Sequence, residues 1–434
     1  MTRKLRQLAQ LDGHTDRAWT VAWSPAEPLI ASCSTDKSVR LYSYSPLIRA
    51  EHDQHPPRFR FTLQSTIPTS HSRTVRSLQF SPTGATLATA SFDSTVGVWQ
   101  RLNQAGLDDG PSTQDAPDAD WEPADPLEGH ESECKSVAWS SDGRLLASCS
   151  RDKSVWVWEA VGPTEFECLA VLMEHSQDVK SVTWHPTDEL LASASYDDTV
   201  KLYAPDPYDD EWSCIETLQA HTGTVWSVTF SPCGNYLASA GDDLVIRIWG
   251  RDAQREGKDM GELGEAKRED GGRMGPWSRG GVRIGPGEKW KWSQKAQITE
   301  AHTRTIYSID WSDGGLSSSE RGLGRIATAG GDGRINVYQV TAPMNDTEMA
   351  LQFQLVTREE DAHGVSDVNH VSWCRLSPTK AAARLRSLEG GDDSGDEDGA
   401  AALSLDDDPK WQGTRDMLAS AGDDGIVRVW SVSE

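Results

Sequence analysis

The chain has 434 residues, 67 of them acidic and 42 basic, so its formal charge is −25 with eleven His taken as neutral. Such a balance argues against a protein that wraps nucleic acid or lies on an anionic bilayer, since both need a concentrated basic surface. No run of about 18 apolar residues occurs, and the start, MTRKLRQLAQLDGH, lacks the apolar core of a signal peptide, so a soluble intracellular protein with no membrane partner is expected.

In chain order, a short apolar stretch, residues 5–11, precedes a unit that recurs seven times, at about 12–45, 69–100, 128–160, 173–204, 219–250, 300–340 and 361–432. Each unit opens with a His, runs into an alternating apolar strand such as SVAW or SVTW, and then reads strand, tight Asp turn, strand, as in LASCSRDKSVWVW. The His and the turn Asp are 22 residues apart in five units: His14 and Asp36, His71 and Asp93, His130 and Asp152, His175 and Asp197, His221 and Asp243. His302 to Asp332 stretches to 30 and His363 to Asp424 to 61. Four residues before each Asp stands a hydroxyl: Ser32, Thr89, Ser148, Ser193, Ser239, Thr328 or Ser420. Six residues after it stands an aromatic ring: Tyr42, Trp99, Trp158, Tyr203, Trp249, Tyr338 or Trp430.

These residues resemble the WD40 family, whose repeat reads G-H, an apolar strand, S-P-x-G, L-A-S-x-S-x-D and a W-D ending. The W-D dipeptide itself is absent here. The resemblance implies an all-β fold, a seven-bladed WD40 β-propeller forming one domain, with a buried His, hydroxyl, Asp and Trp tetrad in each blade. Where Tyr replaces Trp, the donor lies elsewhere. The last unit ends after its third strand, so residues 5–11 are expected to supply the fourth and close the ring.

Ser, His and Asp in one unit also read as a nucleophile, its base and an orienting acid. Seven such sets on apolar strands are better explained as buried polar groups that satisfy one another. No Walker loop, metalloprotease helix or nucleophile elbow occurs, and no catalytic role and no cofactor is expected. The seven cysteines are never closer than 15 residues apart, which favours buried thiols over a metal cluster or a disulfide framework. His52-Asp53-Gln54-His55 has the composition of a metal site, but in a Pro-flanked loop it is expected to be solvated, and no metal is assigned.

The long insertions, about 45–57, 101–120, 250–289, 314–324 and 377–415, fall in connections at the end opposite the His loops and Asp turns. Residues 108–125 hold seven acids and no base, residues 389–408 nine acids and no base, and disorder is the expected state of 101–120, 250–289 and 377–415. Ser394, three residues before Glu397, has the context of an acid-directed phosphorylation site. GGRMGPWSRGGVRIGPG, within 250–289, is locally basic and is read as a solvated loop, without direct nucleic-acid binding.

The opposite end, called the top here, has connections of nearly constant length. Five residues after the His of the first six units come Trp19, Arg76, Lys135, Lys180, Trp226 and Tyr307, and Asn369 takes this place in the seventh. Just before the turn Asp come Thr35, Phe92, Arg151, Tyr196, Asp242, Gly331 and Asp423. Trp, Tyr and Arg are enriched at binding hot spots. With Trp19 and Trp226 read as exposed, packing across the central channel being the alternative, and Arg17, Arg73, Arg151 and Arg304 adding positive potential, this face is expected to meet an acidic or carboxylate-bearing partner.

The runs HSQDVKSVTWHPTDELLASASYDDTVKLY, GHESECKSVAWSSDGRLLASCSRDKSVWVWE and HTGTVWSVTFSP resemble the WD40 subunits of the cytosolic iron–sulfur protein assembly machinery, SRDKSVWVWE with its Trp156 being the most telling. That resemblance implies a non-enzymatic scaffold of the cytosolic iron–sulfur targeting complex, cytoplasmic and also nuclear. Its partners would be a small metal-assembly adaptor, a helical-repeat subunit, an iron-only-hydrogenase-like cluster carrier and apo iron–sulfur client proteins. The family's exposed top-face arginine falls on Arg151. A generic WD40 adaptor for a chromatin or ubiquitin-ligase complex is the alternative reading.

Overall fold

Segments such as LIASCS, TLATAS and LLASCS alternate branched or apolar side chains with Ala and Ser, and all their residues are buried. Small side chains on both faces let a strand sit inside a sheet that is itself packed between two others. In the computed structural model, which describes residues 4–47, 58–102, 121–206, 209–252, 291–313, 322–342, 351–376 and 414–433, such segments are the second strands of seven four-stranded antiparallel sheets. The 28 strands among the described residues are numbered β1 to β28 along the chain. The innermost strand of each blade is β2 (Ala18–Trp23), β6 (Val75–Phe80), β10 (Cys134–Trp139), β14 (Val179–Trp184), β18 (Val225–Phe230), β22 (Ile306–Ser312) or β26 (Val368–Trp373). Each packs on the next, and β26 packs on β2, so the seven blades form a closed ring. The architecture is an all-β, seven-bladed propeller.

Blade 7 takes its outermost strand from the other end of the chain: β1 (Lys4–Leu11) runs antiparallel to β28 (Val427–Ser433), from Lys4 opposite Ser433 to Leu11 opposite Val427. Leu11 packs with Val21, Tyr42 and Met417 between blades 7 and 1, whereas Leu5 packs with Ala327, Trp430 and Val432 between blades 6 and 7. The core as a whole is seven separate apolar clusters, each filled from two adjacent blades. Stability is therefore a sum over interfaces around a ring.

Each blade is pinned at its top by the same network. His Nδ1 lies 2.8–3.1 Å from the turn Asp in all seven, and Nε2 lies 2.6–2.9 Å from the hydroxyl. A carboxylate only accepts, so Nδ1 carries the proton, and Nε2 accepts from the hydroxyl. That oxygen in turn accepts from Trp Nε1 at 2.9–3.2 Å in the four Trp blades. The Tyr blades differ. Tyr203 and Ser193 are 3.5 Å apart, Tyr42 donates instead to the Asp12 carbonyl at 3.4 Å, and in blade 6 Asn336 approaches His302 Nε2 at 3.0 Å. All seven hydroxyls have no exposed surface, so none is presented as a nucleophile.

The residue two before the closing aromatic roofs this network. In blade 3 it is Trp156, stacked 5.1 Å from Trp158 and 5.4 Å from His130, which accounts for an aromatic ring at that strand position. In blade 2 it is Gly97, where a Cβ would stand 2.6 Å from Thr89 Oγ1 and 2.9 Å from His71 Nε2. Gly97→Ala is expected to push these atoms apart and cost about 1–3 kcal/mol, seen as a lowered midpoint in thermal denaturation. A midpoint equal to wild type would mean that the blade 2 network yields without loss.

Strands run slightly into the ends of the sequence-defined insertions: β4 (Ser38–Pro46), β8 (Val96–Arg101), β20 (Ile246–Arg251) and β23 (Gly322–Gly330). Those ends are therefore ordered by cross-strand pairing, a correction to boundaries drawn from composition. Trp121–Pro123, the end of the first acidic stretch, forms the outermost strand of blade 2. The bodies of 101–120, 250–289 and 377–415, with Ser394 and His52 to His55, lie outside the described residues.

Candidate functional site

Every inner strand carries a register shift against its neighbour at one place, the residue five after the His or its equivalent in blade 7. The unpaired residues are Trp19, Arg76, Lys135, Lys180, Trp226, Tyr307 and Asn369. A bulge re-aims its side chain out of the strict in-and-out alternation, and here all seven side chains turn to the top mouth of the central channel. There they line a cavity of about 240 Å³. Arg17, Phe92, Asp367 and Asp423 complete its wall.

The side chains are linked from blade to blade. Arg76 lies over the Trp19 ring with 4.6 Å from its guanidinium carbon to the centroid, and the Lys135 ammonium lies 4.1 Å over Phe92. Lys180 lies 5.0 Å over Trp226, which meets Tyr307 edge-on at 5.4 Å. The Tyr307 hydroxyl donates to Asp367 at 3.4 Å, Asn369 donates to the Ala18 carbonyl at 3.0 Å, and Arg17 pairs with Asp423 at 3.3 Å. Within blades, Trp19 Nε1 donates to Thr35 and Trp226 Nε1 to Asp242, at 2.8 and 2.9 Å. Trp19 and Trp226 are thus half-buried and anchored through their N–H groups. Of the two readings of these Trp, exposed or packed across the channel, the second describes them better, because neighbouring cations and rings cover their faces.

Arg151 and Tyr196 stand outside the cavity on the upper rim. The Arg151 side chain is 59% exposed and shares Glu133 with Arg73, at 3.3 and 3.5 Å. Burial would raise the Glu133 carboxyl, but hydrogen bonds from Ser132 and its own backbone N–H, with Lys135 and Arg151 nearby, hold it down to about 2. Tyr196 is 49% exposed and shares Lys180 with Trp226. Sequence reasoning missed Glu133 and Asp367, which stand two residues before a bulge, where Arg17 and Asp178 also stand. Aligning the repeats on the bulge position would have found them.

Below the collar, the next residue of each inner strand is Thr20, Ser77, Ser136, Ser181, Ser227, Ser308 or His370. Several hydroxyls stitch adjacent blades: Ser308 accepts from the Val371 N–H at 3.1 Å and Ser227 from the Ile309 N–H at 3.2 Å. His370 breaks this pattern. Its Nδ1 is buried without a hydrogen-bond partner among the described residues, and burial, with Arg76 nearby, pushes the ring down to about 3. Among the described residues no group of three or more His, Cys, Asp or Glu is placed to hold a metal, and no helix is long and apolar enough to cross a membrane.

The sequence matches the family described as WD domain, G-beta repeat over residues 5–43, 61–100, 121–159, 166–204, 212–250, 293–339 and 394–431. It is 46% identical to the probable cytosolic iron-sulfur protein assembly protein 1 of Mycosarcoma maydis, over 99% of this chain and 93% of that one. The protein of the same name from Cryptococcus neoformans var. neoformans is 35% identical over 99% of both chains. That of Malassezia globosa is 43% identical over 86% of this chain and 93% of its own.

Proposed function

Because the chain belongs to the WD40-repeat family and, within it, to the family of cytosolic iron-sulfur protein assembly protein 1, we propose that it is a non-catalytic scaffold of the cytosolic iron–sulfur cluster assembly machinery. It brings assembly factors together with apo-proteins that receive clusters. Its partners are a small metal-assembly adaptor, a helical-repeat subunit and an iron-only-hydrogenase-like cluster carrier, besides the apo-protein clients. It works in the cytosol and also in the nucleus. The cluster is cargo of the assembly, and the propeller needs no resident cofactor.

The observation that carries the scaffold reading is the collar. Six of the seven bulges deliver a ring or a cation to one face, and the seventh delivers Asn369, a set rich in the residue types of protein-binding hot spots, while the Ser and Thr of the His networks are fully buried. We assign partner binding to Arg17, Trp19, Arg76, Lys135, Arg151, Lys180, Tyr196, Trp226 and Tyr307. Arg151, exposed beside Glu133, meets an acidic group on the partner.

Affinity purification from native extract tests this reading. Wild type is expected to recover iron–sulfur assembly factors, and Arg151→Glu to recover them about tenfold less, the scale of about 1.4 kcal/mol. Recovery of no such factor by wild type overturns the scaffold reading. Equal recovery by both forms overturns the role of Arg151.

A further inference from the structure

The collar is continuous around the channel except between blades 3 and 4. There Lys135 and Lys180 come from adjacent bulges with the same charge, and no hydrogen bond, ion pair or ring contact joins them among the described residues. Arg76 stands on the next blade, near enough to act electrostatically on Lys135. Like charges gathered at the mouth of a low-dielectric channel repel unless an anion lies between them.

Among the described residues the charges at the channel mouth do not cancel. The cavity wall carries four bases, Arg17, Arg76, Lys135 and Lys180, against two acids, Asp367 and Asp423. Arg17 pairs with Asp423, Asp367 with Arg304 from outside, and Lys180 with Asp178 from outside, at 3.3, 3.4 and 3.2 Å. Adding both outside partners leaves the excess at two positive charges. It falls on Arg76 and Lys135, which have no carboxylate within ion-pair distance among the described residues. Trp19 and Phe92 hold these cations in place through their ring faces, which orients them without neutralising them. Burial, against the pull of Glu133 and with the push of Lys180 and Arg76, lowers Lys135 to about 8, in keeping with an uncompensated cation.

We propose that the channel mouth binds a phosphate dianion, held by Arg76, Lys135 and Lys180. A phosphate monoester carries about −1.5 to −2 at neutral pH, which matches the excess, whereas a single carboxylate leaves one charge unmet. Arg supplies a planar fork and each Lys a mobile ammonium, a donor set suited to tetrahedral oxygens. The volume of about 240 Å³ admits the group with a short attached side chain. Two sources share this chemistry, free phosphate and a phosphorylated serine on a docked protein.

Isothermal titration of the purified full chain at constant ionic strength tests the site, using inorganic phosphate, a short phosphoserine peptide, and acetate as the monoanion. Saturable binding of one phosphate or one phosphoserine peptide per chain is expected, with acetate at least about tenfold weaker. Tighter binding of the peptide identifies a protein-borne phosphate, and tighter binding of inorganic phosphate the free ion. Lys135→Met is expected to weaken the phosphate arm at least about tenfold, the scale of one lost charge-assisted hydrogen bond, and Lys135→Arg to restore most of it. Lys180→Gln gives a second reading that leaves the Phe92 contact alone. No saturable uptake by wild type, acetate binding equal to phosphate, or unchanged affinity in both Lys135→Met and Lys180→Gln overturns the proposal. The inference goes beyond the scaffold reading, because no assembly factor is present in the titration: failure here leaves that reading standing, and the converse holds.

Discussion

Deletion of residues 1–11 is expected to lower the melting temperature on the order of 10 °C and to make the protein self-associate. β1 fills the last place in blade 7, with Leu5 and Leu11 buried in two different interblade clusters. Burying two leucines stabilises by about 3–6 kcal/mol, a large part of the roughly 5–15 kcal/mol that holds a folded domain. Each kcal/mol is worth about 2–4 °C for a domain of 150–250 residues, and less for a longer chain. Removal also leaves the N–H and C=O groups of β28 without their partner strand, a template for pairing with another chain. Leu5→Ala with Leu11→Ala, which keeps the backbone ladder, should lower the melting temperature without the association. Calorimetry and light scattering read the two effects separately. A truncated protein that melts like wild type and stays monomeric would show that the ring does not depend on this strand.

Acid should unfold the protein in two stages. The seven turn Asp are held far down, Asp243, Asp332 and Asp424 to about 2 and the other four further still. Burial is the largest single influence and would raise them, but the hydrogen bond and charge of each His, together with the turn's backbone N–H groups and a Ser, Thr or Arg side chain where one is present, outweigh it. Their side chains are only 4–17% exposed, so solvent screens the effect little. Folded values below the ordinary one mean that the unfolded chain binds protons first. The stabilisation is complete above about pH 4 and is lost as the pH falls through the folded values. At about 1.4 kcal/mol per group per pH unit, seven together exceed the whole stability within about two units.

His370 acts earlier and in the same direction, though by refusing a proton and not by losing a bond. Its folded value is about 3 against an ordinary 6.5, lowered by burial and then by Arg76. Below pH 6.5 the unfolded chain takes up a proton that the folded ring refuses, so stability declines as the pH falls from there. Ser stands at the equivalent place in blades 2 to 6. His370→Ser is therefore expected to gain about 2 kcal/mol over wild type at pH 5 relative to any difference at pH 7.5, measured by urea denaturation at both. The same difference at both pH values would remove His370 from the acid response.

The constant spacing of 22 residues made five of the seven His and Asp pairs legible, and the hydroxyl and aromatic followed at fixed offsets. The other two were legible because the local steps around Asp332 and Asp424 survive the stretched loops. The replacement of the missing Trp donor in blade 6 was not legible, since Asn336 reaches His302 only after the strands have folded back on one another.

The repeat spacings specify the number of blades, their strand order and the His, hydroxyl and Asp of each network. Those features depend on spacings of a few tens of residues within a unit, and a strand, a turn and a strand can satisfy them only one way. The collar positions are legible too, five residues after the His in six blades, but that each is a bulge whose side chain turns into one channel mouth appears only in the folded ring, because a bulge departs from the alternation that identifies a strand. Which cations are neutralised depends on residues one blade away, as Arg304 meets Asp367 across 63 positions of the chain. Ring closure sets those neighbours, and with them which two cations at the channel mouth have no carboxylate within ion-pair distance among the described residues.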